Sequence, residues 1–565
     1  MAERSGGCGR RHAAALHRPD PANRASPNGA TPDPAKLGPM LALEVIVAIG
    51  LAILVGGLIA ARLRVTTPVL LIPLGVLLGF IPAFREIELP PEAVLLLFLP
   101  VLLFWESLTT STREIRRFIR VILLNGTLLV FVTAFGVAIV GTWFGLPWVV
   151  ALVLGAVLAP TDATAVSELA GSLPRRQRTV LRAESLINDG TALVIYALVV
   201  SVAVSGQEIT PLEITWTLLV SYVGGIAIGV ALGYLGSLAF RIRMPLISNV
   251  GLIITPFAAF LIAEVVGSSG VLAVVVCGLV MARIAPRVAG PEARDQAQSF
   301  WTVSTYLLNA ALFVLIGLEV QVVIRELPPS QLGLGVVFGV VVWIALIVIR
   351  AAFVMLSTVV IRLVDRRPYQ RTLRSSRRGL VMSSLAGFRG AVSLAAVLAV
   401  PTVIASGDAF PNRDLVVFVT TIVIVLTLGV QGPLLPFIIK WARLPADDGI
   451  DEERNFAELA ASRAAVEAIP GMANELGIED SVRDKVLAET EHHIEVLEAV
   501  ASDEPDEEAT RQKEQYNRLR LAALELKRET IVNLRDEQRI DDIVLRRIQS
   551  QLDLEELRLT GRTEE

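Results

Sequence analysis

The sequence predicts an all-α polytopic membrane protein of about 13 transmembrane helices, built as inverted six-helix repeats with two interrupted, crossed helices and followed by a cytoplasmic helical tail. Three observations carry that prediction. First, 53% of the 565 residues are hydrophobic and only 19% charged, with mean hydropathy +0.61, whereas a soluble domain is about 25% charged. Second, arginine alternates from one inter-span loop to the next. Third, charge divides the chain: Ala446–Glu565 carries a net −16 and the remainder a net +12. A soluble enzyme, a disordered chain and a disulfide scaffold are excluded.

A helix crossing ~30 Å of hydrocarbon needs about 20 mostly apolar residues. Apolar runs at 41–61, 66–82, 92–109, 121–142, 147–170, 184–204, 214–240, 246–266, 270–283, 299–322, 332–361, 382–404 and 413–441 meet or approach that length. The second and ninth are short and rich in glycine or proline. Numbering the loops alternately, one set holds Arg62 and Arg64, then Arg113, Arg116, Arg117 and Arg120, then Arg175, Arg176, Arg178 and Arg182. It continues with Arg241 and Arg243, then Arg283, Arg287 and Arg294, and ends with the run from Arg362 to Arg378. The other set offers only Arg85, Arg325 and Arg413. Basic loops face the cytoplasm, which places the N-terminus outside and the tail inside the plasma membrane of a bacterium.

Residues 1–39 form a Pro/Ala/Arg-rich leader with no apolar core, so a secretory signal peptide is excluded. It reads as a disordered extension or as a start placed too early, with Met40 the first residue, the reading we favour; a transit peptide is a further alternative. Residues 40–443 form the transmembrane domain and 444–565 an acidic helical domain of regulatory type. Within the latter, Leu519, Leu521, Leu524, Leu526, Ile531 and Leu534 recur among charges at amphipathic-helix spacing, but a and d positions are not sustained as a coiled coil requires.

The residues available for chemistry are few. Cys8 and Cys277 cannot build a thiolate metal site, and the four histidines (His12, His17, His492, His493) all lie outside the apolar region. No lysine occurs between Lys36 and Lys440. Proton chemistry within the membrane therefore falls to carboxylates: Glu44, Glu106, Asp162, Glu168, Glu184, Asp189, Glu264 and Glu319, with Arg350 and Arg389 as buried bases. Glu44, Glu168 and Glu319 lie near span ends, where interfacial water suffices, and Glu264 suits a cap.

Two segments stand apart. The fifth span contains Ala159-Pro160-Thr161-Asp162-Ala163-Thr164 and the twelfth Gly387-Phe388-Arg389-Gly390-Ala391. Proline lacks an N–H and glycine weakens a helix, so both spans should break near the midplane. Seven spans apart, they run in opposite directions, as matching elements of an inverted repeat do; paired broken helices of that kind mark a transporter's binding site. The sixth span carries Glu184-Ser185-Leu186-Ile187-Asn188-Asp189. Ser185 and Asp189 share one helix face, Glu184 and Asn188 the next. An anionic Asp189 at the midplane is costly, and either a proton or a bare Na⁺ or Li⁺ neutralises it, with Ser185 and carbonyls freed around Thr161 as further oxygen ligands. A buried guanidinium needs an anion; Glu184 is the expected partner of Arg389, the alternative being that Asp189 pairs with Arg389 and carries nothing.

These motifs resemble those of bacterial sodium/proton antiporters of the monovalent cation:proton antiporter-1 family, the NhaP-like and sodium-proton-exchanger-like group, over about residues 41–441. The resemblance rests on Ala159-Pro160-Thr161-Asp162, on Glu184 to Asp189, and on Phe388-Arg389-Gly390-Ala391-Val392-Ser393. It implies that Asp189 binds Na⁺ or H⁺, that Ser185 and Thr161 help ligate the ion, that Asn188 supports the helix crossing and that Glu184 pairs with Arg389. Glu106, in Leu103-Phe104-Trp105-Glu106, looks like the family's third-span carboxylate. Asp162, Pro160 and Gly390 are supporting residues. The Asn188-Asp189 pair is the signature of the electroneutral members. The resemblance further implies a homodimer in the lipid bilayer, with spans 1–3 and 8–10 forming the dimer part and spans 4–6 and 11–13 a mobile core.

On this reading the protein exchanges Na⁺ (or Li⁺) for H⁺ by alternating access, is not an enzyme, and needs no cofactor beyond the transported ions. K⁺/H⁺ exchange is the alternative. A cation channel would want repeated polar rings, and a transport-inactive sensor would be expected to lose Asp189. No P-loop, membrane histidine or metal-ligand spacing supports an enzyme, nothing points to nucleic acid, and no partner of the tail is identified.

Overall fold

The computed structural model describes residues 34–63, 67–81, 91–162, 175–206, 210–326, 328–364, 376–443, 449–501 and 507–560, with Phe84 and Leu173. The chain divides into two compact units, Met1–Leu444 and Pro445–Glu565.

The named elements of the first unit are all helices, and among its described residues one isolated β-bridge joins Val403 to Ala409. Its elements are α1 (Pro34–Leu63), α2 (Thr67–Leu78), α3 (Pro91–Thr109), α4 (Thr112–Leu123), α5 (Leu129–Trp143), α6 (Trp148–Leu158), α7 (Arg175–Ser205) and α8 (Pro211–Gly236). They continue with α9 (Pro245–Val265), α10 (Gly270–Val288), α11 (Pro291–Glu326), α12 (Pro329–Val364), α13 (Arg377–Leu385), α14 (Ala391–Leu398), α15 (Arg413–Leu426) and α16 (Gly432–Ala442). A π turn, Leu124–Leu128, joins α4 to α5 without a break, and another, Thr427–Gln431, joins α15 to α16. Among the described residues, nine helices are long and apolar enough to span a membrane, and Thr67–Leu78, Leu96–Thr109 and Trp148–Leu158 are shorter apolar helices. The twelfth apolar run is the pair α13 and α14.

Several helices outrun their apolar runs. α7 begins at Arg175 rather than Glu184, α11 at Pro291 rather than 299, and α10 continues to Val288 rather than 283. Hydropathy drops at the first arginine, but a helix extends into the interface, where arginine side chains reach water. The consequence matters for α7: Glu184 to Asp189 lies midway along it, not at its start. Residues 1–33 of the expected leader lie outside the described residues, and α1 begins at Pro34, ahead of Met40.

Packing sorts these helices into two groups. In one, α10 lies against α8, α3 and α9, while α11 lies against α2 and α1. In the other, α5 lies against α6 and α12, α6 and α4 lie against α7, and α12 lies against α13 and α15. The groups meet where α3, α10 and α11 touch α7, α14 and α15. The pairing of α2 with α11 mirrors that of α10 with α3, as an inverted repeat requires: spans 2 and 10 of the chain map onto 9 and 3. Long apolar side chains on α1 (Ile46, Leu54, Leu58) and α9 (Leu246, Ile254, Leu261) remain exposed, as lipid-facing positions do.

Small residues let backbones approach where apolar burial gives no drive. Gly225, Gly229 and Gly233 line one face of α8 against α10, and Gly75 of α2 meets Gly317 of α11. Trp105 of α3 stacks on Trp301 of α11 at 5.6 Å between ring centroids. A capping box starts α8: Thr210 Oγ1 accepts from the Glu213 N–H and the Thr210 N–H donates to Glu213 Oε2. The hydrogen bonds from Thr210 hold the Glu213 carboxyl below its ordinary range.

The second unit contains α17 (Gly449–Leu476), α18 (Asp480–Ala501), α19 (Glu507–Asp536) and α20 (Asp542–Thr560). They pair as two antiparallel hairpins, α17 with α18 and α19 with α20. The second hairpin buries Leu524, Leu545 and Leu552 and is laced by Arg528, whose Nη2 lies 2.6 Å from both Asp553 and Glu556.

A side chain at Gly229 would place its Cβ 2.5 Å from the Ala273 carbonyl oxygen, a backbone atom that cannot swing aside. Gly229→Leu is therefore expected to cost about 1–3 kcal/mol through overpacking, read as a lowered melting temperature of the detergent-solubilised protein. Gly50→Ala, where nothing lies within 4 Å, should leave that temperature unchanged.

Candidate functional site

The two motif-bearing helices are interrupted, and the gaps cross. α6 stops at Leu158 and passes through Ala159 and Pro160; α13 stops at Leu385 and α14 resumes at Ala391. Unwound backbone inside a membrane leaves polar groups that must find partners in the protein. Here each gap serves the other. The Asp162 N–H donates to the Phe388 carbonyl at 2.8 Å. Arg389 Nε donates to the Leu158 carbonyl at 2.6 Å, and its Nη1 to that of Gly387 at 2.9 Å. A Cβ at Gly390 would overlap the Asp162 carboxylate, so a larger residue there would require that side chain to move.

Helix α7 passes the crossing. Ser185 Oγ donates to the Thr161 carbonyl at 2.7 Å, and Asn188 Nδ2 donates to Thr161 Oγ1 at 2.5 Å. The expected residues Thr161, Ser185, Asn188 and Asp189 thus converge, all buried. Pro160 is buried within the same gap. Glu106 stands on α3, which packs against α7. Asp189 Oδ1, Asn188 Oδ1 and Glu106 Oε1 are buried and make no hydrogen bond among the described residues. Residues 163–172, which complete the fifth-span motif and include Glu168, lie outside the described residues.

The expected Glu184–Arg389 pair is not formed. Glu184 Oε1 lies 2.7 Å from Arg350 Nη2 on α12, with side chains 1% and 3% exposed, and Glu184 Oε2 accepts from Asn125 Nδ2 at 2.9 Å. Arg350 Nε also donates to the Ser383 carbonyl at 3.0 Å. The reason lies in backbone supply. Arg389 sits in an unwound segment among freed carbonyls, which satisfy it; Arg350 sits within an intact helix whose carbonyls are already used, so it takes the carboxylate. Asp189 forms no ion pair with Arg389 either, whose charge reaches it only at longer range.

Three participants had no role assigned from sequence: Asn125, Arg350 and Gln431. Both amides stand in π turns, where the extra residue redirects a side chain. Gln431 donates through Nε2 to the carbonyl of Leu385, the last residue of α13, and its Oε1 accepts from Trp343 Nε1 at 3.2 Å. The available signal was one polar residue within each of two apolar spans, and for Arg350 a second midspan base in need of an anion.

Chemically, Asp189 on α7 and Glu106 on α3 each carry a buried carboxylate oxygen without a hydrogen bond, and Asp189 stands beside the neutral oxygens of Ser185, Thr161 and Asn188. Among the described residues no three His, Cys, Asp or Glu side chains are grouped to hold a metal ion. A carboxylate beside hydroxyl, amide and carbonyl oxygens suits a monovalent cation or a proton, since either neutralises it.

The chain is similar to known proteins over most of its length. Residues 49–441 match the family model described as "Sodium/hydrogen exchanger, transmembrane". The chain is 42% identical over 525 residues to an uncharacterized Na⁺/H⁺ exchanger of Mycobacterium tuberculosis, covering 92% of this chain and 97% of that one. It is 30% identical over 514 residues to the uncharacterized Na⁺/H⁺ exchanger YjcE of Escherichia coli, covering 87% and 93%. The solved structure of the sodium proton antiporter MjNhaP1 from Methanocaldococcus jannaschii at pH 8 superposes with a TM-score of 0.56 at 19% identity, covering 72% of this chain and 100% of that chain, and shares its fold.

Removing one partner of a buried ion pair leaves the other charge stranded, at about 3–5 kcal/mol. Arg350→Met should accordingly lower the melting temperature of the purified protein sharply, and adding Glu184→Gln should recover much of the loss. Equal melting temperatures for wild type and Arg350→Met would refute the pairing.

Proposed function

This chain belongs to the sodium/hydrogen exchanger family, and from that premise we propose that it exchanges Na⁺ (or Li⁺) for H⁺, one for one, with both ions competing for Asp189. Cation/proton exchange is the activity of that family; the ion, the stoichiometry and the site are our reading. The observation that carries it is Asp189 Oδ1, buried midway along α7, without a hydrogen bond, beside the crossed gaps. Ser185, Thr161 and Asn188 would supply neutral oxygens once their mutual hydrogen bonds loosen, and Glu106 lines the same region from α3.

The mechanism follows from cost. A charged Asp189 resists passing a dry barrier; a neutralised one does not. Reorientation is thus allowed with either ion bound and hindered with neither, which is sufficient for exchange. Charge balances, because one cation leaves as one proton arrives. Asn188 before Asp189, and the lack of a lysine between Lys36 and Lys440, support a site with one titrating group.

The two packing groups support a moving body of α4–α7 with α12–α16 working against α1–α3 with α8–α11, the latter pairing two copies in a homodimer. Glu106 would then stay with the fixed body while Asp189 travels. We place the protein in the bacterial inner membrane with its N-terminus outside, and Ala446–Glu565 in the cytoplasm as a regulatory domain. Deleting that segment should shift the pH dependence of exchange more than its maximal rate.

Cation-driven proton efflux from everted membrane vesicles tests the reading. Na⁺, Li⁺ and K⁺ are added in turn to wild type and Asp189→Asn, with a valinomycin/K⁺ clamp in the Na⁺ and Li⁺ runs. The Na⁺ response should fall to background in Asp189→Asn and persist in wild type when voltage is collapsed. Thr161→Ala and Ser185→Ala, each losing one oxygen ligand, should raise the half-maximal Na⁺ concentration about tenfold, equivalent to ~1.4 kcal/mol. A response to K⁺ alone would change the substrate and keep the mechanism; transport retained by Asp189→Asn would overturn the site.

A further inference from the structure

We propose that the arginine face of α4 binds the anionic headgroups of membrane phospholipids, and that this contact sets the working position of helix α7. The helix that runs from α4 through the π turn into α5 presents one outward stripe: Ile119, Leu123, Leu128, Val132, Phe135, Ile139 and Trp143 are all exposed. From Leu123 to Trp143 the stripe rises about 30 Å at 1.5 Å per residue, the thickness of a hydrocarbon core. One end is marked by Trp143, 76% exposed, at the level where aromatic side chains sit in an interface. At the other end the same stripe turns basic: Arg116 and Arg120 continue it, Arg113 lies on nearly the same face as Arg120 and Arg117 about 60° round the helix from it, all four exposed. Arg117 also lies over the Phe118 ring, 5.6 Å from its centroid. The four guanidinium groups lie within about three helical turns beyond lipid-facing Leu123, the depth of the headgroups, and clustered basic residues there attract anionic lipid.

The opposite face of the same helix is tied to the exchange machinery. Phe118 and Ile122 are buried with Ala183 of α7, and Ile115, Val180 and Ile187 pack around them. One turn on, a Cβ at Gly126 would lie 2.6 Å from Ile187 Cγ2 and 3.4 Å from the Asn188 backbone nitrogen. Asn125 there holds Glu184. A headgroup that fixes the arginine end of α4 therefore acts through a continuous helix on the stretch Val180–Asn188, immediately before Asp189.

The test uses purified full-length protein and the variant Arg113→Gln/Arg116→Gln/Arg117→Gln/Arg120→Gln, with the corresponding fourfold Arg→Lys variant as a charge-retaining control. Thermal unfolding in detergent is read with phosphatidylglycerol, phosphatidylcholine or inorganic phosphate added. Phosphatidylglycerol alone should raise the melting temperature of wild type and the Lys variant, and leave the Gln variant unmoved. Exchange is then compared in vesicles of phosphatidylcholine with and without phosphatidylglycerol. Wild type should run several-fold faster with the anionic lipid, whereas the Gln variant should run at one rate in both. That comparison removes the general effect of a negative surface, which concentrates Na⁺ for both proteins alike. Equal stabilisation by inorganic phosphate, or an undiminished lipid response in the Gln variant, would overturn the proposal. The transport arm rests on cation/proton exchange; stabilisation by lipid without exchange in any vesicle would count against that function and leave the lipid site standing.

Discussion

Backbone groups released in the middle of a bilayer must be satisfied by the protein, and the crossing of the two gaps is where this chain meets that demand. The Asp162 N–H to Phe388 carbonyl bond and the Arg389 bond to the Leu158 carbonyl span the two gaps. Neither helix could break at this depth alone, because water is not there to take up the freed groups. The crossing thereby dictates its own residues. Proline opens one gap, glycine at 390 admits the Asp162 carboxylate, and an arginine rather than a shorter donor reaches across. Thr161 is then presented to α7, where its carbonyl and hydroxyl meet Ser185 and Asn188.

Charge is distributed around that crossing in a way that separates fixed from free. Arg350 and Glu184 satisfy one another, with Asn125 and the Ser383 carbonyl taking further valences. Arg389 is spent on carbonyls. What is left is Asp189, one turn beyond Glu184 on the same helix, with an oxygen that no described donor engages. A site meant to hold a labile ion must be a place where compensation is withheld, and on α7 it is left so because Glu184 and both arginines are committed elsewhere. The Glu184 network is in this sense a condition for the Asp189 site, although it touches no ion itself.

The sequence disclosed those features that depend on residue type and period. Apolar runs located the helices, Pro160 and the glycines around Arg389 located both gaps, and the spacing of Ser185, Asn188 and Asp189 put them on adjoining faces of one helix. It could not disclose which arginine takes Glu184, because both candidates are single bases in apolar spans. The deciding factor is the local supply of free carbonyls, a property of the folded backbone. Asn125 and Gln431 were hidden for a related reason: a π turn changes helical phase by one residue, so periodicity read at 3.6 residues per turn aims their side chains wrongly. Helix ends were misplaced wherever arginine interrupted hydropathy, which moved Asp189 from near an end to the middle of α7.

The restriction to arginine has a consequence for coupling. Lysine buried in an apolar site readily loses its proton, whereas a guanidinium keeps it and offers several donors in a fixed plane. With no lysine between Lys36 and Lys440 and no histidine in that span, every base inside the transmembrane unit is a permanent charge that can brace structure but cannot carry protons. Proton traffic is left to carboxylates. Of those gathered at the crossing, Glu184 is bound to Arg350, Asp162 belongs to the crossing itself, where its backbone N–H holds the opposing gap, and Glu106 stands on α3 in the other packing group. Under the proposed mechanism this leaves one titrating group on the moving body, so that each passage of α7 carries a single neutralising ion and the one-for-one ratio follows from the inventory of side chains rather than from any gate.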